Sequence, residues 1–174
     1  ALSIASTKPV KSYSSDIVTT YPLAGLNDRF TTETPIPGTS EEVIITWFIS
    51  PEQFYCQKLS SKFEMSKMMT LIQSTYCGRE SIISSIDVGS PGLAKYKVDG
   101  VLYRAEVKDI TNPSSFVVQF LDYGNLEIME KNSLWDIEKR FMDLPKQAIV
   151  CSLDGIKSTN SEWARGDEGV DKFF

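Results

Sequence analysis

With 174 residues, 41% of them hydrophobic, the chain suits one domain, or a domain with an extension, and is long enough to bury a sizeable core. Eighteen Lys and Arg against twenty-three Asp and Glu leave a formal charge of -5, which disfavours direct nucleic-acid binding and suits a cationic partner. The absence of histidine excludes Ser-His-Asp, Cys-His and His-ligated metal chemistry together.

Residues 1–40 are rich in Ser, Thr and Pro, with Tyr13, Tyr21 and Phe30 as the only aromatics, and read as a flexible extension or linker. Order is expected to begin at "EEVIITWFIS", where Val43 to Ile49 form a β-branched and aromatic run. Pro51 marks a turn, and "FYCQKL" supplies an antiparallel partner. In "SKFEMSKMMTLIQSTYCG" a helix is predicted. Ser61 and Glu64 form a capping-box pattern, and Gly78 offers a stop. Met65, Met68, Met69, Ile72 and Tyr76 fall at helical spacing; the stripe reads as the core face rather than an adaptable binding groove.

From Val88 to Glu130 the texture changes to short strands and tight turns. "LAKYKV", "VLYRAEVKDI", "SFVVQFLDY" and "LEIME" are strand candidates, punctuated by Asp99-Gly100, Asn112-Pro113 and Gly124-Asn125. Closely spaced antiparallel strands of this kind predict a small bent-sheet barrel. "NSLWDIEKRFMDLP" reads as a second helix, with Asn132 or Ser133 as its cap, Leu134, Ile137 and Phe141 on one face, and Pro145 beyond its end. "QAIVCSLDGI" is another strand, and "SEWARGDEGVDKFF" opens a last helix weakened by Gly166 and Gly169. Cys56, Cys77 and Cys151 form no C-x-x-C pair and read as reduced, mostly buried small hydrophobes of a cytosolic protein. No apolar run approaches a membrane span, no signal-peptide pattern opens the chain, and the first residue is Ala, as expected of an excised fragment.

The stretch "FVVQFLDYGNLEIME" asks why aromatics and a carboxylate crowd one turn. Alternation puts Phe116, Val118 and Phe120 on one strand face. With that face inward, Phe120 lies at the barrel mouth, and Tyr123 and Asn125 sit on the turn. Tyr96 and Tyr103 flank the Asp99-Gly100 hairpin at the same end. Taken singly, each ring is more often core than site, and only convergence on turns at a barrel mouth brings the two readings level. Converged, four aromatic faces suit a large, weakly hydrated cation such as a methylated ammonium or guanidinium, and Asn125 adds an acceptor for a remaining guanidinium N–H. Asp122 either adds charge nearby or stabilises the turn.

"LAKYKVDGVLYRAEV", "FVVQFLDYGNLEIM" and "LPKQAIVCSLDGI" together resemble an extended Tudor domain of germline piRNA-pathway proteins. The resemblance covers about residues 43–174. It implies a mainly β fold with helices (α+β), in which a five-stranded Tudor barrel is combined with a nuclease-like OB-fold half. On that reading 41–174 is the domain. Residues 41–80 and 146–174 form its OB-like part, 86–130 the Tudor core and 131–145 a connecting helix, and the last OB strands are either missing or beyond the fragment. The family's methylarginine cage maps onto Tyr96, Tyr103, Phe120, Tyr123 and Asn125, with Asp122 as possible support. Gly92 stands where the family commonly has Cys, a packing difference. The resemblance implies a non-catalytic reader of symmetrically dimethylated arginine. Its partner would be the arginine-methylated N-terminal peptide of a Piwi-family protein, in cytoplasmic, perinuclear germ granules (nuage). No metal or diffusible cofactor is implied. Two rival readings remain: a nuclease, against which no compact Arg, Asp and Glu cluster appears in the OB-like strands, and a scaffold that binds unmodified peptide or self-associates.

Overall fold

The computed structural model describes residues 20–156, in which two antiparallel sheets flank one α-helix. Strands β1 (Val43–Ser50) and β2 (Gln53–Lys58) form the predicted hairpin, and β8 (Ile149–Cys151) adds to β2, giving the order β1-β2-β8. The second sheet contains β3 (Pro91–Lys95), β4 (Leu102–Asn112), β5 (Ser115–Phe120), β6 (Leu126–Glu130) and β7 (Leu134–Trp135), in the order β6-β5-β4-β3-β7. This is the bent five-stranded barrel. Helix α1 (Lys62–Tyr76) links the two parts.

The barrel folds where the sequence alternates. Phe116, Val118 and Phe120 on β5 are buried and meet Ala105 and Val107 of β4, as the period of two requires. Burying a large apolar side chain of this kind contributes about 1.5–3 kcal/mol. A second cluster lies between α1 and the barrel, where Ile72 and Tyr76 pack with Leu93, Leu121, Ile137 and Phe141. The methionine stripe therefore belongs to the core, with Met65 buried and Met68 and Met69 half-buried. Gly78 ends α1 with φ +72°, a left-handed conformation open to glycine at little cost.

Three expectations are corrected. Residues 131–145 do not form a connecting helix. They fold as a 3-10 turn (Lys131–Ser133), the short β7, and a second 3-10 turn (Lys139–Phe141). Long-range pairing outcompetes the helical ladder here: Leu134 and Trp135 pair with Ala94 and Leu93, Asp136 N donates to Ile82 O at 2.8 Å, and the Ile137 and Pro22 carbonyls accept from Ala24 and Lys139. Leu134, Ile137 and Phe141 are all buried, so the apolar spacing was real while its geometry was not helical.

The Ser61–Glu64 capping box is also not made. Ser61 has φ -87° and ψ -3° at the end of a 3-10 turn (Leu59–Ser61) and gives no side-chain cap, whereas the box needs an extended cap residue. Finally, residues 20–40 are a strap docked by a few anchors with most of its residues solvent-exposed, rather than a flexible linker. Phe30 is 6% exposed, its ring lies 5.3 Å from the Arg104 guanidinium, and the strap makes bridges at Leu23–Glu138 and Thr32–Lys146. The expectations for residues 1–19 and for the last helix at 161–174 lie outside the described residues.

Candidate functional site

Two hairpins bring the singled-out residues to one end of the barrel. Tyr96 follows β3, and Tyr103 is the second residue of β4; the turn between them closes through Tyr96 N to Val101 O at 2.9 Å and Gly100 N to Tyr96 O at 2.8 Å. Phe120 ends β5 and pairs across the sheet with Ala105. The next turn folds back on Phe120, whose carbonyl accepts from Gly124 N at 2.7 Å while its N–H donates to Asn125 O at 3.0 Å.

The four rings converge. Tyr96 lies 6.2 Å from Tyr103 and 5.4 Å from Phe120, and Tyr103 lies 5.9 Å from Phe120 and 5.2 Å from Tyr123. Interplanar angles of 76–88° set neighbouring rings edge to face. Together with Asn125 they line a cavity of about 270 Å³. Phe120 is 2% exposed at its floor, while the tyrosines are half-buried. Burial raises the hydroxyl pKa of Tyr103, reinforced by its hydrogen bond to Asp99, and burial likewise raises that of Tyr123. Both phenols are therefore neutral near pH 7.

Asn125 is 6% exposed and lines the cavity, and its amide has no hydrogen-bond partner among the described residues. Buried polar groups normally find partners, so this amide is available to a ligand. Asp122, in contrast, lends the cavity no free charge and instead fixes the turn. Its carboxylate is taken up by the buried Arg104 and by Gln147 N, which holds the turn to the segment before β8.

The turn is also clamped from the other sheet. Thr46 Oγ1 donates to Tyr123 O at 2.8 Å, and Gln57 Nε2 donates to Asp122 O. Gly124 has φ +96° and lies so close to Tyr55 that a Cβ would sit 2.1 Å from that ring's Cγ. Thr46 and Trp47 of β1 complete the cavity wall. Sequence reasoning missed both, because their neighbours on the turn lie more than seventy residues away and leave no local signature. It also read Asp99 only as a hairpin residue. Asp99 lines the cavity and accepts the Tyr103 hydroxyl at 2.7 Å; its position between the two tyrosines was the available signal.

The arrangement presents ring faces and edges, one free amide and one carboxylate, with no Lys or Arg in the lining. Such a cavity attracts a cation with apolar surface and N–H groups to donate.

The Tudor domain family model matches residues 35–155. Tudor domain-containing protein 1 of Mus musculus is 32% identical over 124 residues, covering 69% of this chain and 10% of the relative. Tudor domain-containing 6 of Danio rerio is 34% identical over 148 residues, covering 83% and 7%. The chain thus spans about a tenth or less of the length of these relatives. Extended Tudor domain TD3 from mouse TDRD1 superposes with a TM-score of 0.76 at 28% identity, covering 83% of this chain and 74% of that one. The same domain in complex with a MILI peptide containing dimethylarginine gives 0.75 at 27%, covering 79% and 71%. The human TDRD1 extended Tudor domain in complex with a symmetrically dimethylated peptide gives 0.73 at 25%, covering 82% and 72%.

Proposed function

The chain belongs to the Tudor domain family, and from that premise we propose that it is a non-catalytic reader of symmetrically dimethylated arginine in Arg-Gly and Arg-Ala-rich peptides. The observation that carries this reading is the unpartnered, buried Asn125 amide inside the four-ring cavity. Dimethylation adds apolar surface to the guanidinium and keeps its charge. The ion is then attracted to the rings, at about 0.5–2 kcal/mol per contact, while its desolvation cost falls. The Asn125 oxygen accepts a remaining terminal N–H, which trimethyllysine does not offer.

The similar TDRD1 domains bound to dimethylated peptides support the same ligand class here. On that basis the partner is the methylated N-terminal peptide of a Piwi-family protein, and the parent protein acts as a scaffold in piRNA germ granules (nuage). The chain's net charge of -5 favours such arginine-rich segments. Calorimetric titration with one Arg-Gly/Arg-Ala peptide, in unmodified, asymmetrically and symmetrically dimethylated forms, tests the reading. Tightest binding of the symmetric form is expected. Equal binding of all three would replace it with a methylation-independent scaffold.

A further inference from the structure

Among the residues lining the cavity, only Asp99 carries a formal charge. Its carboxylate is held from two directions: Oδ1 accepts from Val101 N at 2.9 Å and Oδ2 from the Tyr103 hydroxyl at 2.7 Å. A carboxylate has about four acceptor positions, so each oxygen keeps capacity for another donor. No Lys or Arg pairs with Asp99 among the described residues, and Lys97 on the same hairpin is engaged by Glu127 at 2.7 Å. An oriented anion without a counter-ion therefore stands on a cavity suited to cations.

Depth separates it from Asn125. Asn125 is buried with Phe120 at the floor, whereas Asp99 is exposed at the rim. A guanidinium entering tip first places its terminal nitrogens near the floor and its Nε–H near the mouth. We infer that Asp99 is a specificity-determining residue of this site: it supplies the counter-charge for the bound guanidinium and accepts its Nε–H at the rim. This rests on the methylarginine-reading function and adds a second recognition point to it. Symmetric and asymmetric dimethylarginine both keep the Nε–H, so Asp99 selects arginine derivatives as a class, and Asn125 with the rings discriminates among them. Trimethyllysine offers Asp99 charge alone.

The test compares the native chain with Asp99→Asn and Asp99→Glu by calorimetry, using the symmetrically dimethylated peptide at several salt concentrations. In Asp99→Asn the amide oxygen keeps the Val101 N–H and the NH2 group donates to the Tyr103 hydroxyl, so that ring keeps its anchor while the charge is lost. Asp99→Asn is expected to weaken binding about threefold to tenfold, between the scale of a fully exposed ion pair and that of a buried charged hydrogen bond, and to flatten its salt dependence. Asp99→Glu should restore most of the affinity and the salt dependence. If the native chain binds and Asp99→Asn stays within twofold with the same salt dependence, Asp99 only positions Tyr103 and the inference is overturned, leaving the cage reading intact. Failure of the native chain to bind the symmetric peptide overturns both.

Discussion

Arg104 and Asp122 form a fork-to-fork ion pair with both side chains excluded from solvent, Nε to Oδ2 at 2.9 Å and Nη2 to Oδ1 at 2.6 Å. The remaining guanidinium N–H groups donate to the carbonyls of Phe141, Leu144 and Pro145. Every donor of a buried cation is thereby used to fix the recognition turn against the segment leading to β8. Removing one partner strands the other charge. Asp122→Ala is expected to cost about 3–5 kcal/mol in urea unfolding, and a loss under about 1 kcal/mol would show that the pair tolerates solvent.

Asn125→Ala separates recognition from folding. The native amide is buried without a partner among the described residues, so its removal should leave the melting temperature unchanged or slightly raised. Binding of the dimethylated peptide should weaken by about 1–3 kcal/mol. Phe120→Ala should lose a similar amount of affinity, about 1–3 kcal/mol, but with a clear drop in stability, because Phe120 also belongs to the barrel core. Equal stability losses for the two variants would place Asn125 in the structural framework.

Gly124→Ala tests the contact between the turn and β2. The substitution meets both a left-handed backbone at φ +96° and the Tyr55 ring. A destabilisation of about 2–4 kcal/mol is expected from overpacking and backbone strain. Combining it with Tyr55→Ala should recover part of the loss in a double-mutant cycle, because only the steric component is relieved.

Glu106 gives the fold a defined acid sensitivity. Burial alone would raise its pKa, but hydrogen bonds and charge from Lys108 and Lys146 outweigh that and hold it below the ordinary value of 4.5. A carboxylate depressed in the folded state stabilises fully above its unfolded pKa, and that contribution is lost as pH falls through the folded value. Glu106→Gln should therefore lower stability near pH 7 and flatten the stability profile below about pH 4.5. Parallel profiles for the two proteins would contradict this.

Local chemistry in the sequence was enough to find four of the five barrel strands, the hairpins at Asp99-Gly100 and Gly124-Asn125, and the places of Tyr96, Tyr103, Phe120 and Tyr123 at strand ends and turns. Each depends on neighbours a few residues apart, through period-two alternation or turn preference. What escaped depends on distant partners. Leu134 and Trp135 read as helical until β3 offers them a sheet edge. Phe30 looks like linker sequence until Arg104 and the second core cluster give it somewhere to bury. Asp122 has an ordinary turn role by composition, and its ion pair appears only when β4 lies beside it. Thr46 and Trp47 belong to a strand whose sequence speaks only of its own hairpin.

The clamp on the Asp-Tyr-Gly-Asn turn bears on how such a domain can diversify. The four converging rings come from the barrel, yet one wall of their cavity, with the Trp47 ring, and the anchor on the Tyr123 carbonyl come from β1. A barrel transplanted without its own β1–β2 hairpin would retain these four rings and lose both the Trp47 wall and the support that holds Tyr123 in place. Recognition here is a joint property of two chain segments, so substitutions at Thr46 or Trp47 in β1 are expected to retune ligand preference without touching the four barrel rings.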